Sequence, residues 1–214
     1  MNKLTIIVTY YNAEEYITGC LESIKQQRTQ DFNLIIVNDG STDQSKKLMD
    51  EAIKDYDKNI RFIDLDENSG HAHARNIALE EVETPYFMFL DADDELASYA
   101  ITFYLEKFND TDGLIAPIHS FTTQRPQFVD LDRVRVEYFN AKGNINSFLR
   151  KQSACNIIFR TAIVKAHHIR FNENLNTYVD WSFVLEYMKY VNKFVRIFNL
   201  SLIHISEPTR RRGI

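Results

Sequence analysis

Four short apolar runs, set apart by stretches with helical spacing, constrain this chain most. Leu4–Val8, Phe32–Val37, Ile60–Ile63 and Tyr86–Leu90 read as buried strands. Tyr16, Ile17, Cys20, Leu21 and Ile24 fall at helical spacing after the first run. Leu48, Ala52, Ile53 and Tyr56 do so after the second, and Ala74, Ile77, Ala78 and Val82 after the third, before Pro85. Asn12-Ala13-Glu14-Glu15 has the form of a capping box, with Asn12 as N-cap and Glu15 three residues on. A β-α-β-α-β-α-β order predicts an α/β domain with a mostly parallel sheet and helices on both faces. Such sheets bind ligands at the carboxyl ends of their strands.

Polar clusters fall at those ends: Thr9–Asn12, Asn38–Asp43 and Asp91–Asp94. The tetrad Asp91-Ala92-Asp93-Asp94 follows its apolar strand directly. Carboxylates at i and i+2 can share a hard divalent cation, because Mg2+ and Mn2+ prefer oxygen ligands. A cation held by one or two carboxylates takes its other ligands from water and a substrate phosphate, which points to a nucleotide-diphosphate substrate. Without further signals, the same residues read as a solvated acidic turn.

A length of 214 residues fits one domain. The net charge of -5 and a pI near 5.7 argue against a nucleic-acid binder. Cys20 and Cys155 read as two separate core thiols, suited to a reducing cytosol. The N-terminal apolar run is too brief for a signal peptide or membrane span. His71, His73, His167 and His168 lack a third metal ligand at sensible spacing, so the first two read as loop or pocket-wall residues.

The second half is less regular. Leu114–Phe121, Ala154–Phe159 and Phe194–Phe198 read as strands, Thr123–Arg135 as loop and Asp180–Val191 as a helix. Residues 1–199 form one expected domain, with a nucleotide half and an acceptor half. Residues 200–214 look non-native: Leu200–Arg210 resembles a translated laboratory sequencing adapter, so the expected natural frame runs to about Asn199 of a truncated gene product.

Five segments, taken in order, resemble the family 2 glycosyltransferases, which have a GT-A fold. Val8-Thr9-Tyr10-Tyr11-Asn12 matches the opening motif, with Thr9 in place of Pro. Val37-Asn38-Asp39-Gly40-Ser41-Thr42-Asp43 matches the second, with Asn38 in place of Asp. Asn68-Ser69-Gly70 with Ala74-Arg75-Asn76 matches the third, and Asp91-Ala92-Asp93-Asp94 matches the metal motif. Val179-Asp180-Trp181 is similar to a later Glu-Asp motif, with Val179 in place of Glu.

The resemblance implies an inverting, metal-dependent transferase using a nucleotide-diphosphate sugar and Mn2+ or Mg2+. Thr9, Tyr11, Asn12, Asp39 and Asn68 would hold the base and ribose, and Arg75 would support the diphosphate or a metal-binding Asp. Asp91 and Asp93 would form the metal site, Asp93 as direct ligand and Asp91 against ribose or a metal-bound water. Asp94 would lie behind them or cap the next helix. Asp180 would be the general base. Trp181 reads either as an acceptor platform or as core, and Asp39 and Asp180 each keep a plain helix-cap reading. The chain is also similar to enzymes that decorate cell-wall polymers such as teichoic acids. That implies a glycan or polyol-phosphate acceptor and a cytoplasmic place at the inner face of the membrane, reached by peripheral association. Two alternatives stand beside it: a non-catalytic glycan-binding module of a larger synthase, and a nucleotidyltransferase. The second normally carries a Gly-rich phosphate loop after the first strand, and Thr9–Ala13 has none.

Overall fold

The computed structural model describes residues 2–56, 58–107, 111–116, 118–121, 134–140, 153–198 and 202–205. The expected alternation is present as β1 (Leu4–Tyr10), α1 (Ile17–Lys25), β2 (Phe32–Asn38), α2 (Ser45–Ile53), β3 (Ile60–Asp64), α3 (His71–Glu80) and β4 (Tyr86–Asp91). Next come β5 (Asp94–Leu96), α4 (Ala100–Lys107), β6 (Gly113–Ile115), β7 (Ile118–Phe121) and β8 (Arg135–Asn140). After the 3-10 turn Ala154–Asn156 follow β9 (Ile157–Arg160), α5 (Thr161–Ala166), α6 (Val179–Met188), β10 (Lys193–Phe198) and β11 (Leu202–Ile205).

Eight strands form the main sheet in the order β3-β2-β1-β4-β9-β6-β10-β8. The four strands expected from the apolar runs pair in parallel. Strand β9 enters antiparallel to both β4 and β6, and β8 closes the edge antiparallel to β10. A smaller sheet has the order β5-β11-β7.

Strand side chains alternate between faces, and here each face has its own core. Leu4, Ile6 and Val8 of β1, with Met88 and Leu90 of β4, pack on the side of α1 and α4. Ile7, Phe87 and Phe89 pack on the opposite side, with Ala74 and Ala78 of α3 and Phe183 of α6. Runs apolar at every position therefore suit strands buried on both faces. The second core is aromatic: Phe171 stacks on Phe183 at 4.1 Å, and Phe159 meets Phe183 edge-on at 5.3 Å. Cys20 and Cys155 are free and buried, as the sequence implied.

Register delivers the polar clusters to one sheet edge. Thr9 is paired with Val37 on one side and Asp91 on the other, and Tyr10 is paired with Asn38. Gly40 follows in the left-handed region, at φ 65, where a Cβ would lie 2.4 Å from the Glu67 carbonyl carbon. That position takes glycine for both reasons.

Several local expectations change. Helix α1 begins at Ile17 with no side-chain cap, so Asn12 is not its N-cap. The Asn12 backbone is left-handed (φ 48) and its Oδ1 accepts from the Thr42 amide at 2.9 Å, tying the first loop to the second. Asp94 is a buried strand residue and does not cap α4. The expected strand 114–121 is two strands in different sheets. Of the expected loop 123–135, residues 123–133 lie outside the described residues, while Arg135 opens β8. Leu202–Ile205, in the foreign-looking tail, pairs with β5 and β7; 206–214 lies outside the described residues. Among the described residues no helix is long and apolar enough to cross a membrane.

Candidate active site

Two cavities open at the carboxyl edge of the sheet. The smaller, about 400 Å³, is lined by Thr9, Tyr11, Asp39, Asn68, Gly70 and His71, among others. Asp39 is buried at its wall and does not cap α2, which begins at Ser45. Its two carboxylate oxygens accept from the backbone amides of Ser69 (2.8 Å) and Gly70 (2.9 Å). Gly70 has φ 90 and precedes α3, so a short glycine turn wraps the carboxylate. Asn12 is exposed and clasps the first loop to the second, outside the described lining.

The larger cavity, about 780 Å³, is lined by Arg75, Asp91, Ser153, Tyr178, Asp180 and Trp181, with His71 shared between the two. Arg75 is the centre of this cleft. It is 4% exposed, and its guanidinium donates to Asp180 at 2.5 Å and to Asp91 at 2.7 Å. It also lies over the rings of Phe89 and Phe171, at 5.4 and 5.3 Å. Two carboxylates and two aromatic faces fix it, which suits a delocalised planar cation better than an ammonium. Arg75 is thus committed to Asp91 and Asp180.

Asp180 lies in the first turn of α6 and also accepts from Ser153 Oγ at 2.7 Å and the Ala154 amide at 3.1 Å. Burial works to raise its pKa, but the Arg75 charge and these hydrogen bonds outweigh it and hold the carboxyl below its ordinary value. A carboxylate offers about four lone-pair sites, so roughly one remains open. Asp180 is therefore ionised and a weak base. Partial burial and the nearby Arg75 charge lower the His71 pKa, favouring neutral imidazole. His73 instead pairs with Glu173 at 3.1 Å. Trp181 both lines the cleft and packs on the second core.

Carboxylate oxygens of Asp91, Asp93 and Asp94 lie within 4.8 Å of one another. An all-oxygen acidic donor set fits Mg2+ or Mn2+. Sequence reasoning did not find Ser153 or Tyr178 as cleft residues. The first precedes the 3-10 turn, and the second betrays itself only by its backbone.

A family model described as glycosyl transferase family 2 matches residues 5–168. The chain belongs to the family 2 glycosyl transferases. This family 2 chain is 98% identical over 199 residues to a teichoic acid poly(glycerol phosphate) polymerase of Staphylococcus epidermidis. The match spans 93% of the chain but 28% of the polymerase. It is 28% identical over 204 residues to the poly(ribitol-phosphate) beta-N-acetylglucosaminyltransferase TarS of Staphylococcus aureus, covering 32% of it. A crystal structure of TarS residues 1–349 superposes with TM-score 0.80 at 25% identity, over 95% of this chain and 60% of that one. The complex of the same fragment with UDP-GlcNAc gives TM-score 0.82 at 22% identity, a likeness of fold. The α/β architecture is accordingly of the GT-A type.

Proposed function

We propose that this chain is an inverting glycosyltransferase domain. It would move a sugar from a nucleotide-diphosphate sugar to a hydroxyl of a glycan or polyol-phosphate cell-wall polymer at the cytoplasmic membrane face. One observation carries the reading. The Asp39 cavity and the carboxylate cleft adjoin at His71, and within the cleft Arg75 joins Asp91 to Asp180. In this reading Thr9, Tyr11, Asp39 and Asn68 hold the nucleoside, with Asn12 fixing their loop. Asp91 and Asp93 would hold Mn2+ or Mg2+, which would supply positive charge against the departing diphosphate. Arg75 keeps Asp91 and Asp180 in place, and its charge helps to hold Asp180 ionised. Asp180 accepts the proton of the attacking hydroxyl through its remaining lone-pair site.

A test is release of nucleoside diphosphate from UDP-sugars by the purified chain. Turnover should require Mn2+ or Mg2+, disappear in Asp93→Ala, and fall ~100-fold or more in Asp180→Asn. Neither binding nor turnover with any nucleotide sugar would sink the proposal.

A second reading, a non-catalytic positioning module of a larger synthase, is favoured by the weak basicity of Asp180 and by buried Val179 where the family motif has Glu. It is distinguished by a thermal shift with nucleotide sugar and no hydrolysis by wild type.

A further inference from the structure

The donor side of the cleft leaves open what occupies its other side. Resting on the glycosyl-transfer reading above, we infer that the acceptor enters as a neutral sugar ring laid against Tyr178 and Trp181, and not as a run of polyol phosphates.

Tyr178 is 79% exposed, more than the other exposed large hydrophobic residues Tyr11, Tyr138, Leu175 and Leu185. Its backbone is left-handed, at φ 59 and ψ 23, immediately before α6. That conformation is uncommon for a bulky aromatic, and such outliers gather at ligand sites. Among the described residues Tyr178 has no ring partner, although it lines the cleft. Trp181 lies three residues on, in the first turn of α6, and lines the same cleft. Asp180 sits between the two aromatic positions. A sugar ring presents an apolar C–H face that suits an aromatic side chain, whereas a polyol-phosphate chain has no such face.

Charge points the same way. Among the described lining residues there is no lysine, and the arginine is Arg75, already spanning Asp91 and Asp180. His71 leans toward its neutral form beside that arginine. The described lining residues thus leave no uncommitted cationic side chain for a polyol-phosphate acceptor. The side chains of Asn176 and Thr177 on the same wall suit hydroxyl groups.

Trp181 is the single tryptophan in 214 residues, so its emission reports this cleft directly. The purified chain is titrated with a β-linked N-acetylglucosamine disaccharide and, separately, with oligo(glycerol phosphate). The disaccharide should change Trp181 emission saturably, with about tenfold weaker binding in Tyr178→Ala and nearly full retention in Tyr178→Phe. Thermal shifts with UDP-sugar should be the same in all three proteins. A saturable response to oligo(glycerol phosphate) alone, a disaccharide response untouched by Tyr178→Ala, or no response to either would overturn the inference. Loss of the UDP-sugar shift in wild type with the disaccharide response intact would instead strike the donor reading.

Discussion

The two cavities hold their carboxylates by different means. Asp39 is fixed by backbone amides of one adjacent turn, Ser69 and Gly70. Asp91 and Asp180 are joined by one side chain, Arg75, which reaches 16 residues forward to the first and 105 to the second, while Ser153 and the Ala154 amide hold the far oxygen of Asp180. The first device is indifferent to the side chain at Ser69, since any residue but proline supplies an amide there, whereas Gly70, at φ 90, calls for glycine. The second depends on one guanidinium, and its loss exposes two negative charges to each other. The Asp39 cavity should thus tolerate changes at Ser69, while the cleft should not tolerate changes at Arg75.

The largest effect should follow from Arg75→Met. Removing one partner of a buried ion pair costs about 3–5 kcal/mol, and the neighbouring carboxylates become mutually repulsive. Urea denaturation should show this as a large fall in midpoint; a change near 1 kcal/mol would mean that the guanidinium is not what holds the cleft. Next comes Gly40→Ala, which strains the backbone and meets Glu67. It should cost about 1–3 kcal/mol and weaken nucleotide binding, read by calorimetry. Ser69→Ala should do little to either quantity, because its amide, not its hydroxyl, serves Asp39.

The pH dependence separates the two cavities further. The folded pKa of Asp180 lies below its ordinary 3.8. Its contribution to stability is therefore complete above that value and is lost as pH falls through the folded pKa. Wild type should lose stability more steeply below pH about 4 than Asp180→Asn does. Equal acid slopes would count against the ion pair. The smallest effect is expected for Arg61→Ala, whose exposed pair with Glu81 at 3.2 Å stands away from both cavities. It should change stability by less than about 1 kcal/mol.

Much of the Asp39 side was legible in the sequence. Strand runs are short, apolar at every position and followed by polar clusters, and parallel register can place those clusters only at one edge. Thr9, Tyr11, Asp39, Asn68 and Asp91 were found from that logic and from motif order. Local pattern misled at Asn12: a capping box is a statement about near neighbours, and contacts to Ser41 and Thr42 prevailed. The link from Arg75 to Asp180 had no local signature, since it spans 105 residues and depends on how β9 and α6 dock. Strand β8 was hidden because its residues, Arg135 to Asn140, are polar and aromatic in a mixture typical of a sheet edge. Tyr178 is one of 11 tyrosines, and only its backbone angle and exposure set it apart.

Arg75 joining Asp91 to Asp180 has a consequence for biosynthesis. Chains emerge amino end first, and domains tend to fold in that order. A nascent chain ending before residue 180 can already form the Asp39 wall, but its arginine lacks one of its two counter-charges. The Asp39 cavity can therefore mature on the ribosome before the carboxylate cleft, and the latter is completed only when Asp180 has cleared the exit tunnel.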